Sequence, residues 1–189
     1  MLRNEFKVAI RFTVLTTVLL GILYPLAVTA FGHFFLRSQA DGELIVTNGQ
    51  VTGSPLIGQN FTGDLYFHSR PSAAGNGYDA TSSGGSNLAS SSQKLVTRID
   101  GDIAHYAAEN KSRPVPIDLV TASGSGLDPD ISPAAAMFQA ASVANARHLP
   151  LETVREVVQR HVEGRQFGFL GEERVNVLLL NMDLDRLAH

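Results

Sequence analysis

The chain of 189 residues contains no cysteine and no tryptophan. Without cysteine it can form neither a disulfide nor a thiolate metal site, and it cannot carry a lipid on a cysteine. With no tryptophan and only four tyrosines, an aromatic sugar-binding platform is not expected. The stability of a folded domain must therefore come from the burial of apolar side chains.

Signatures of common catalytic sites are also absent from the sequence. No G-x-x-x-x-G-K-[ST] run is present to hold phosphates, and Gly124-Ser125-Gly126 lacks the G-x-S-x-G spacing of a nucleophile elbow. The six histidines are scattered and form no H-E-x-x-H pair. Asp128 and Asp130 precede a helix start, where we interpret them as turn-forming residues in preference to metal ligands. The chain is therefore not expected to be an enzyme.

One long hydrophobic run is present, Phe12 to Leu36, which holds 25 residues without an acidic or basic side chain. A helix rises about 1.5 Å per residue, so a hydrocarbon core of about 30 Å needs roughly 20 apolar residues. The run therefore predicts one transmembrane helix over residues 12–36. It divides the chain into a short segment 1–11 and one globular domain over residues 37–189.

The charges beside the run predict its orientation. Arg3, Lys7 and Arg11 precede it, and basic residues next to a span stay on the cytoplasmic side. Residues 1–11 are therefore expected in the cytoplasm and residues 37–189 outside it. The alternative is a cleaved signal peptide, with small residues at 28–30 near a candidate cleavage site, but the run exceeds the usual 7–15 apolar residues of such a peptide.

The exterior part carries 17 acidic and 12 basic residues, a balance that argues against nucleic-acid binding.

An Asn48-Gly49 pair between short β-type runs predicts a hairpin. Further short strands are expected at 64–68 and 117–121, and a buried strand at 175–182. Residues 69–92 form a long Ser- and Gly-rich loop of the kind that is functional or disordered.

Three helices are expected in the exterior part. Apolar residues recur at helical spacing over 93–110 and 151–162. A helix from 133 to 148 has a suitable N-cap in Ser132 and a suitable first residue in Pro133. The predicted fold class is α+β, with helices packed on a small sheet behind a single transmembrane helix.

Two Gly-Ser loops are the candidate binding elements. Such loops beside a helix N-terminus can present several backbone N–H groups to an anion, although turn geometry alone also favours these residues. The candidate residues for contact with a ligand or a partner are Ser83, Gly84, Gly85, Ser86, Asn87, Ser123, Gly124, Ser125 and Gly126. In the span, Gly21, Tyr24 and Pro25 are the candidates for packing against a neighbouring helix, because Gly21 and Pro25 loosen the backbone hydrogen bonds there.

Several segments together resemble one family, the C subunits of the Kdp potassium-transporting ATPases of bacteria and archaea. The resemblance covers nearly the whole chain, and its most specific part is the run TASGSGLDP at 121–129 followed by ISPAA at 131–135. The other matching segments are GILYPL at 21–26, SPLIGQNF at 54–61, YFHSRPSAAG at 66–75, Tyr78-Asp79, SGGSNL at 83–88, GFLGE at 168–172, VNVL at 175–178 and Asn181.

The resemblance implies a role within a complex of the bacterial inner membrane. In that family an A subunit selects potassium, a B subunit hydrolyses ATP through a phosphorylated aspartate, and a small F peptide helps to hold the complex together. The C subunit is a non-catalytic accessory, needed for assembly and activity, and is described as a catalytic chaperone that raises the ATP affinity of the B subunit. ATP and K⁺ are thus expected to be handled by the complex, with no cofactor assigned to this chain.

The expected topology separates the exterior domain from cytoplasmic ATP. We therefore favour an indirect mechanism, in which the span packs on the A subunit and the exterior domain caps or braces its outer mouth. The alternative is a chaperone that binds nucleotide directly through the Gly-Ser loops. A freestanding exported enzyme is disfavoured because no catalytic constellation is found.

Overall fold

The computed structural model describes residues 2–47, 49–110 and 113–187. It separates into two compact units, the first ending at Leu44 and the second beginning at Ile45. The first unit is helical, and the second combines helices with two small sheets. The prediction of an α+β domain that follows one long apolar helix in the chain is confirmed.

The first unit is built around a helical segment that runs from Leu2 to Phe35. It consists of α1 (Leu2–Val18), a π-helical turn (Leu19–Leu23) and α2 (Tyr24–Phe35), and a short α3 (Arg37–Ala40) follows. None of its most apolar stretch is buried within the chain, and its length and composition allow it to cross a membrane. The hydrophobic run predicted as a span therefore forms a helix up to Phe35, and Leu36 lies just beyond its end.

The second unit opens with the predicted hairpin. Strands β1 (Ile45–Thr47) and β2 (Gln50–Gly53) pair antiparallel, with Thr47 opposite Gln50. Gly49 has φ +79°, as two-residue hairpin loops require. Asn48, the other residue of the predicted turn, lies outside the described residues.

No strand forms at 64–68, so that prediction is wrong. Residues 64 and 65 form a turn, and the backbone of the next residues bonds to side-chain amides instead of to a neighbouring strand. The long loop from 69 to 92 contains no helix or strand at any of its residues, all of which the structure describes. Hydrogen bonds nevertheless hold it in place, among them those of Ser72, Tyr78 and Gly84.

The next helix, α4 (Gln93–Glu109), matches the predicted helical spacing. Its Tyr106 is buried, and the ring lies edge-on to Phe138, with 6.3 Å between ring centroids. The expected extended segment at 117–121 is instead a single 3₁₀ turn, Ile117–Leu119, which buries Leu119 completely. This prediction failed because one buried leucine in a short turn has no periodicity to recognise.

Helices α5 (Pro133–Arg147) and α6 (Leu151–Arg160) form the centre of the second unit. Ser132 caps α5 as predicted, since its Oγ accepts a hydrogen bond from the Ala135 N–H at 3.2 Å. His148 ends α5 in the left-handed conformation, with φ +56°. The alanine face of α5 allows α6 to pack closely.

A three-stranded antiparallel sheet lies beside these helices in the order β3-β5-β4, made of β3 (Asp130–Ile131), β4 (Val162–Glu163) and β5 (Arg174–Asn176). Helix α7 (Val177–Leu187) follows β5 directly. The predicted strand over 175–182 is therefore correct only up to Asn176. Largely buried apolar side chains from these elements form the core: Phe67, Leu119, Ile131, Phe138, Val143, Val154, Val157, Val158, Val175, Leu180 and Leu184.

Candidate functional site

The structure brings the two candidate Gly-Ser loops together. The Gly84 N–H donates to the Ser125 carbonyl at 2.8 Å, and the Ser83 Oγ donates to the same carbonyl at 3.0 Å. The loops are 42 residues apart in the chain, so folding joins them through tertiary contacts. Ser83–Asn87 and Ser123–Gly126 thus form one element, which we call the loop junction.

Gly126 is the tightest point of the loop junction. Its φ is +68°, and a Cβ added there would lie 2.6 Å from both the Ala74 nitrogen and the Gly84 carbonyl oxygen. Its own N–H donates to the Ser123 carbonyl at 3.3 Å. Only glycine fits this position, because the backbone is left-handed and three chain segments meet there.

The third segment at the junction is 70–79. The Ser72 Oγ donates to the Gly126 carbonyl at 2.6 Å and accepts from the Tyr78 N–H at 2.7 Å. The Tyr78 hydroxyl donates to the Arg70 carbonyl at 2.7 Å, and burial raises the pKa of Tyr78 to about 12. The segment around Ser72 was part of the family pattern but was not among the candidate site residues.

Arg70 ties this segment to the end of the second loop. Its Nη1 donates to the Asp128 carboxylate at 3.0 Å, and both groups are less than one-third exposed. Its Nε and Nη2 reach the carbonyl and hydroxyl of Thr121 at 3.4 Å. A charged hydrogen bond of this kind is stronger than a neutral one, so Arg70 fixes the junction to the entry of α5.

The two aspartates near that helix start have structural partners. The Asp130 N–H donates to Oδ1 of Asp128 at 3.1 Å, which is the turn predicted for this pair. Asp130 also pairs with Arg174, with 3.2 Å between Nε and Oδ2. Desolvation raises the pKa of Asp130, although Arg174 acts in the opposite direction.

The candidate residues differ in exposure. Ser123 and Gly126 are buried and Gly84 and Gly85 are half-buried, whereas Ser83, Ser86, Asn87, Gly124 and Ser125 are exposed. The N–H groups of Gly84 and Gly126 are bonded inside the junction. Among the described residues, no group of three or more His, Asp or Glu side chains is placed to hold a metal ion. The exposed edge of the junction thus consists of serine, glycine and asparagine.

In the first unit, Gly21 lies within the π-helical turn, and Tyr24 and Pro25 follow it as the first residues of α2. The Tyr24 N–H donates to the Leu19 carbonyl, five residues back, in place of the α-helical partner four residues back. Proline at 25 has no N–H to offer. The predicted loosening of the backbone at Gly21 and Pro25 takes this form.

One exposed element was missed by sequence reasoning. Gln166 and Leu170 exchange two backbone hydrogen bonds, both at 2.9 Å, and close a tight hairpin. The hairpin exposes Phe167 at 80% and Phe169 at 70% of their surface, and Phe167 has φ +54°. A bulky residue in that region is uncommon. The sequence feature that could have indicated this exposed hairpin is Phe167-Gly168-Phe169, two phenylalanines around a glycine within a polar stretch.

The described residues combine one long apolar helix, which could cross a membrane by its length and composition, with a small α+β domain. Comparison with known proteins makes the class specific. The model of the family described as "KdpC: K+-transporting ATPase, c chain" matches residues 6–186. The chain therefore belongs to the KdpC family, whose members are subunits of the K⁺-transporting ATPase.

Individual relatives agree over nearly their full length, and each is called potassium-transporting ATPase KdpC subunit. The protein of Koribacter versatilis is 52% identical over 97% of this chain and 95% of the relative. That of Acidobacterium capsulatum is 54% identical over 97% and 99%. That of Mycobacterium bovis is 47% identical over 98% and 100%.

Proposed function

We propose that the chain is a non-catalytic accessory subunit of an ATP-driven, high-affinity potassium uptake complex and is needed for its assembly and activity. Its partners are the potassium-selecting A subunit, the ATP-hydrolysing B subunit and the small F subunit. The hydrolytic site lies on the B subunit, and ATP and K⁺ are handled by the complex as a whole. Family membership and the single long apolar helix support this proposal.

The proposed topology is a retained, single-pass anchor in the bacterial inner membrane. Residues 1–11 lie in the cytoplasm, 12–36 cross the membrane, and 37–189 form the exterior domain. The basic residues Arg3, Lys7 and Arg11 before the span support this orientation. The helix continues through Phe35, beyond the small residues where a signal peptidase would cut.

The effect on ATP affinity is indirect in this proposal. ATP is in the cytoplasm and the loop junction is outside, so the junction cannot touch the nucleotide. The observation that supports an indirect role most strongly is the bonding within the junction, where the Gly84 and Gly126 N–H groups are paired with the Ser125 and Ser123 carbonyls. These donors serve the fold of the exterior domain, which caps or braces the outer mouth of the A subunit.

The exposed phenylalanine hairpin also supports contact with another chain. Phe167 and Phe169 expose their aromatic rings on a short hairpin that two backbone hydrogen bonds close. Apolar side chains displayed in this way are common at protein interfaces. A subunit that braces a partner needs such a surface.

Direct nucleotide binding by the junction is the second candidate. It is favoured by one observation, that both predicted loops lie side by side with exposed Ser86, Asn87 and Gly124. This candidate predicts saturable protection of Ser83–Asn87 and Ser123–Gly126 from proteolysis when ATP is added to the purified chain. The indirect mechanism predicts no protection at any ATP concentration.

Deletion of the exterior domain tests the proposal. A chain that ends after residue 40 keeps the span, and we expect it to lose high-affinity potassium uptake and potassium-stimulated ATPase activity while remaining in the membrane. The full-length Gly101→Ala variant is the control, since a Cβ at Gly101 in α4 meets no atom within 4 Å. Normal potassium-stimulated ATPase activity in the truncated form would contradict a bracing role.

A further inference from the structure

The π-helical turn leaves one backbone carbonyl in the span without its usual donor. In an α-helix the Leu20 carbonyl accepts from the Tyr24 N–H, but here that N–H donates to Leu19. In π-helical register the donor would be residue 25, which is proline and has no N–H. The carbonyl of Leu20 therefore has no main-chain donor in either register.

An unpaired carbonyl has unusual consequences inside a membrane. Hydrocarbon offers no hydrogen bonds, so each backbone polar group there must find a partner within protein or a water-filled cavity. Within its own unit nothing covers this part of the helix, since Leu20 is 61% exposed and the π-helical turn has no buried residue. The described residues of this unit therefore leave the carbonyl open to a donor from a neighbouring molecule.

Gly21, the next residue, leaves the backbone open to a close neighbour. A Cβ added at Gly21 would meet only the Thr17 methyl carbon, at 3.9 Å, which is ordinary contact distance. Thr17 and Gly21 are one helical turn apart, and small residues with this spacing let two membrane helices approach closely. The open backbone thus lies directly beside the unpaired carbonyl.

We propose that the Leu20 carbonyl accepts a hydrogen bond from a hydroxyl or amide side chain on a transmembrane helix of another chain of the potassium-transporting ATPase, and that this helix approaches over Gly21. Side chains of Ser, Thr, Asn or Gln are the donors that membrane helices use between one another. The family is described as a c chain of the ATPase, so other chains share its complex. This inference rests on the proposed function and assigns a specific contact to its span.

A matched pair of glycine substitutions tests the contact in the full-length chain. Gly21→Leu fills the open backbone beside Leu20, and Gly32→Leu makes the same change near the end of α2, where an added Cβ meets nothing within 4 Å. At both positions an added Cβ stays at or beyond ordinary contact distance from the rest of the chain, so a defect confined to the first variant indicates a neighbour at Gly21. The readout is the amount of other ATPase subunits that copurify with the tagged chain in mild detergent.

We expect Gly21→Leu to reduce copurification of the other subunits by about tenfold, because a change of this size corresponds to the loss of one helix–helix hydrogen bond and its packing. Copurification with Gly32→Leu should stay within about twofold of wild type. Equal copurification of both variants would overturn the inference. Loss of self-association alone, with the other subunits retained, would also overturn it by identifying a second copy as the neighbour.

Pro25→Ala provides a second test that adds no bulk. Alanine restores an N–H at position 25, so the helix can return to α-helical register and pair the Leu20 carbonyl internally. The donor of the partner then loses its acceptor, and we expect several-fold weaker copurification than for Leu26→Ala. Unchanged copurification of Pro25→Ala would contradict a contact at this carbonyl.

The outcomes separate this inference from the proposed function. If no P-type ATPase subunit copurifies with the wild-type chain, the proposed function fails. If wild type retains the subunits and the Gly21 and Pro25 variants behave like their controls, only the contact at Leu20 fails.

Discussion

At the scale of single residues, two side-chain amides hold the backbone that enters the loop junction. Asn181 on α7 accepts from the Phe67 N–H at 2.8 Å and donates to the Phe67 carbonyl at 2.9 Å. Gln139 on α5 does the same for His68, at 2.9 and 3.2 Å. Each amide satisfies one donor and one acceptor, as a neighbouring strand would.

Replacing Asn181 by leucine should destabilise the exterior domain strongly. Asn181 is fully buried, so the substitution leaves the N–H and carbonyl of Phe67 without partners. We expect a loss of about 3 kcal/mol in the free energy of unfolding, measured by urea denaturation of the full-length chain in detergent. Asn145→Leu makes the same change at an exposed site of α5 and should cost less than about 0.5 kcal/mol. Similar losses in both variants would contradict this role for Asn181.

The raised pKa of Tyr78 predicts a pH effect on stability. Because burial raises the pKa of Tyr78 to about 12, the folded state holds this proton more tightly than the unfolded state. The stabilisation is complete below the ordinary tyrosine pKa of about 10 and is lost as the pH rises towards 12. Between these values the free energy of unfolding should fall less steeply in Tyr78→Phe than in wild type. Identical slopes would contradict the prediction.

These residue contacts explain the wrong prediction at 64–68. Alternating apolar and aromatic side chains favour a strand, and Phe67 is buried as a strand residue would be. The partner of its backbone N–H and carbonyl, however, is one side chain 114 positions later in the chain, that of Asn181. No local pattern indicates that a side chain rather than a strand fills this role.

At the scale of elements, local signals predicted the helices better than the strands. Helix α6 has strong apolar periodicity, whereas the alanine-rich α5 was marked by Ser132 and Pro133 at its start. The run 175–182 is equally apolar, yet it changes from strand to helix after Asn176. That asparagine caps α7 by accepting from the Leu179 N–H at 3.2 Å, three residues on. Recognition of Asn176 as an N-cap would have placed the helix correctly.

The loop junction is an element whose residues, but not whose assembly, were predictable. Glycine and serine marked both loops as irregular, and the family pattern singled out the same residues. Their contact depends on Ser72, Tyr78 and Arg70. Such long-range hydrogen bonds have no signature in a single sequence.

Two glycines of the second loop allow a sharp test of the junction. Gly126→Ala should lower the free energy of unfolding by more than about 2 kcal/mol, because alanine is strained at φ +68° and its Cβ meets backbone atoms at 2.6 Å. Gly124→Ala changes an open position, without a positive φ, and should have little effect. Limited proteolysis within 69–92 should accelerate only in the first variant. Equal behaviour of the two would show that the junction does not hold this loop.

At the scale of the whole molecule, the hydrophobic run and its flanking charges are the features from which most of the function is inferred. The structure places the run in one long helix, and the family comparison assigns the chain to an ATPase complex. Composition alone predicted an anchor and a domain without catalytic motifs. It could not predict the π-helical turn, because the loss of register depends on how the helix accommodates Pro25.

The most direct test of the proposed mechanism is the side of the membrane on which the loop junction lies. The chain has no cysteine, so a single introduced cysteine is a unique label site. Ser86→Cys places it on the exposed edge of the junction, and Asn4→Cys places it in the segment before the span. The label is a membrane-impermeant maleimide, added to cells whose outer membrane has been permeabilised while the inner membrane stays intact. The proposed topology predicts that Ser86→Cys is labelled under these conditions. It predicts that Asn4→Cys is labelled only after the inner membrane is also permeabilised. The reverse pattern would place the junction beside cytoplasmic ATP and contradict an indirect role.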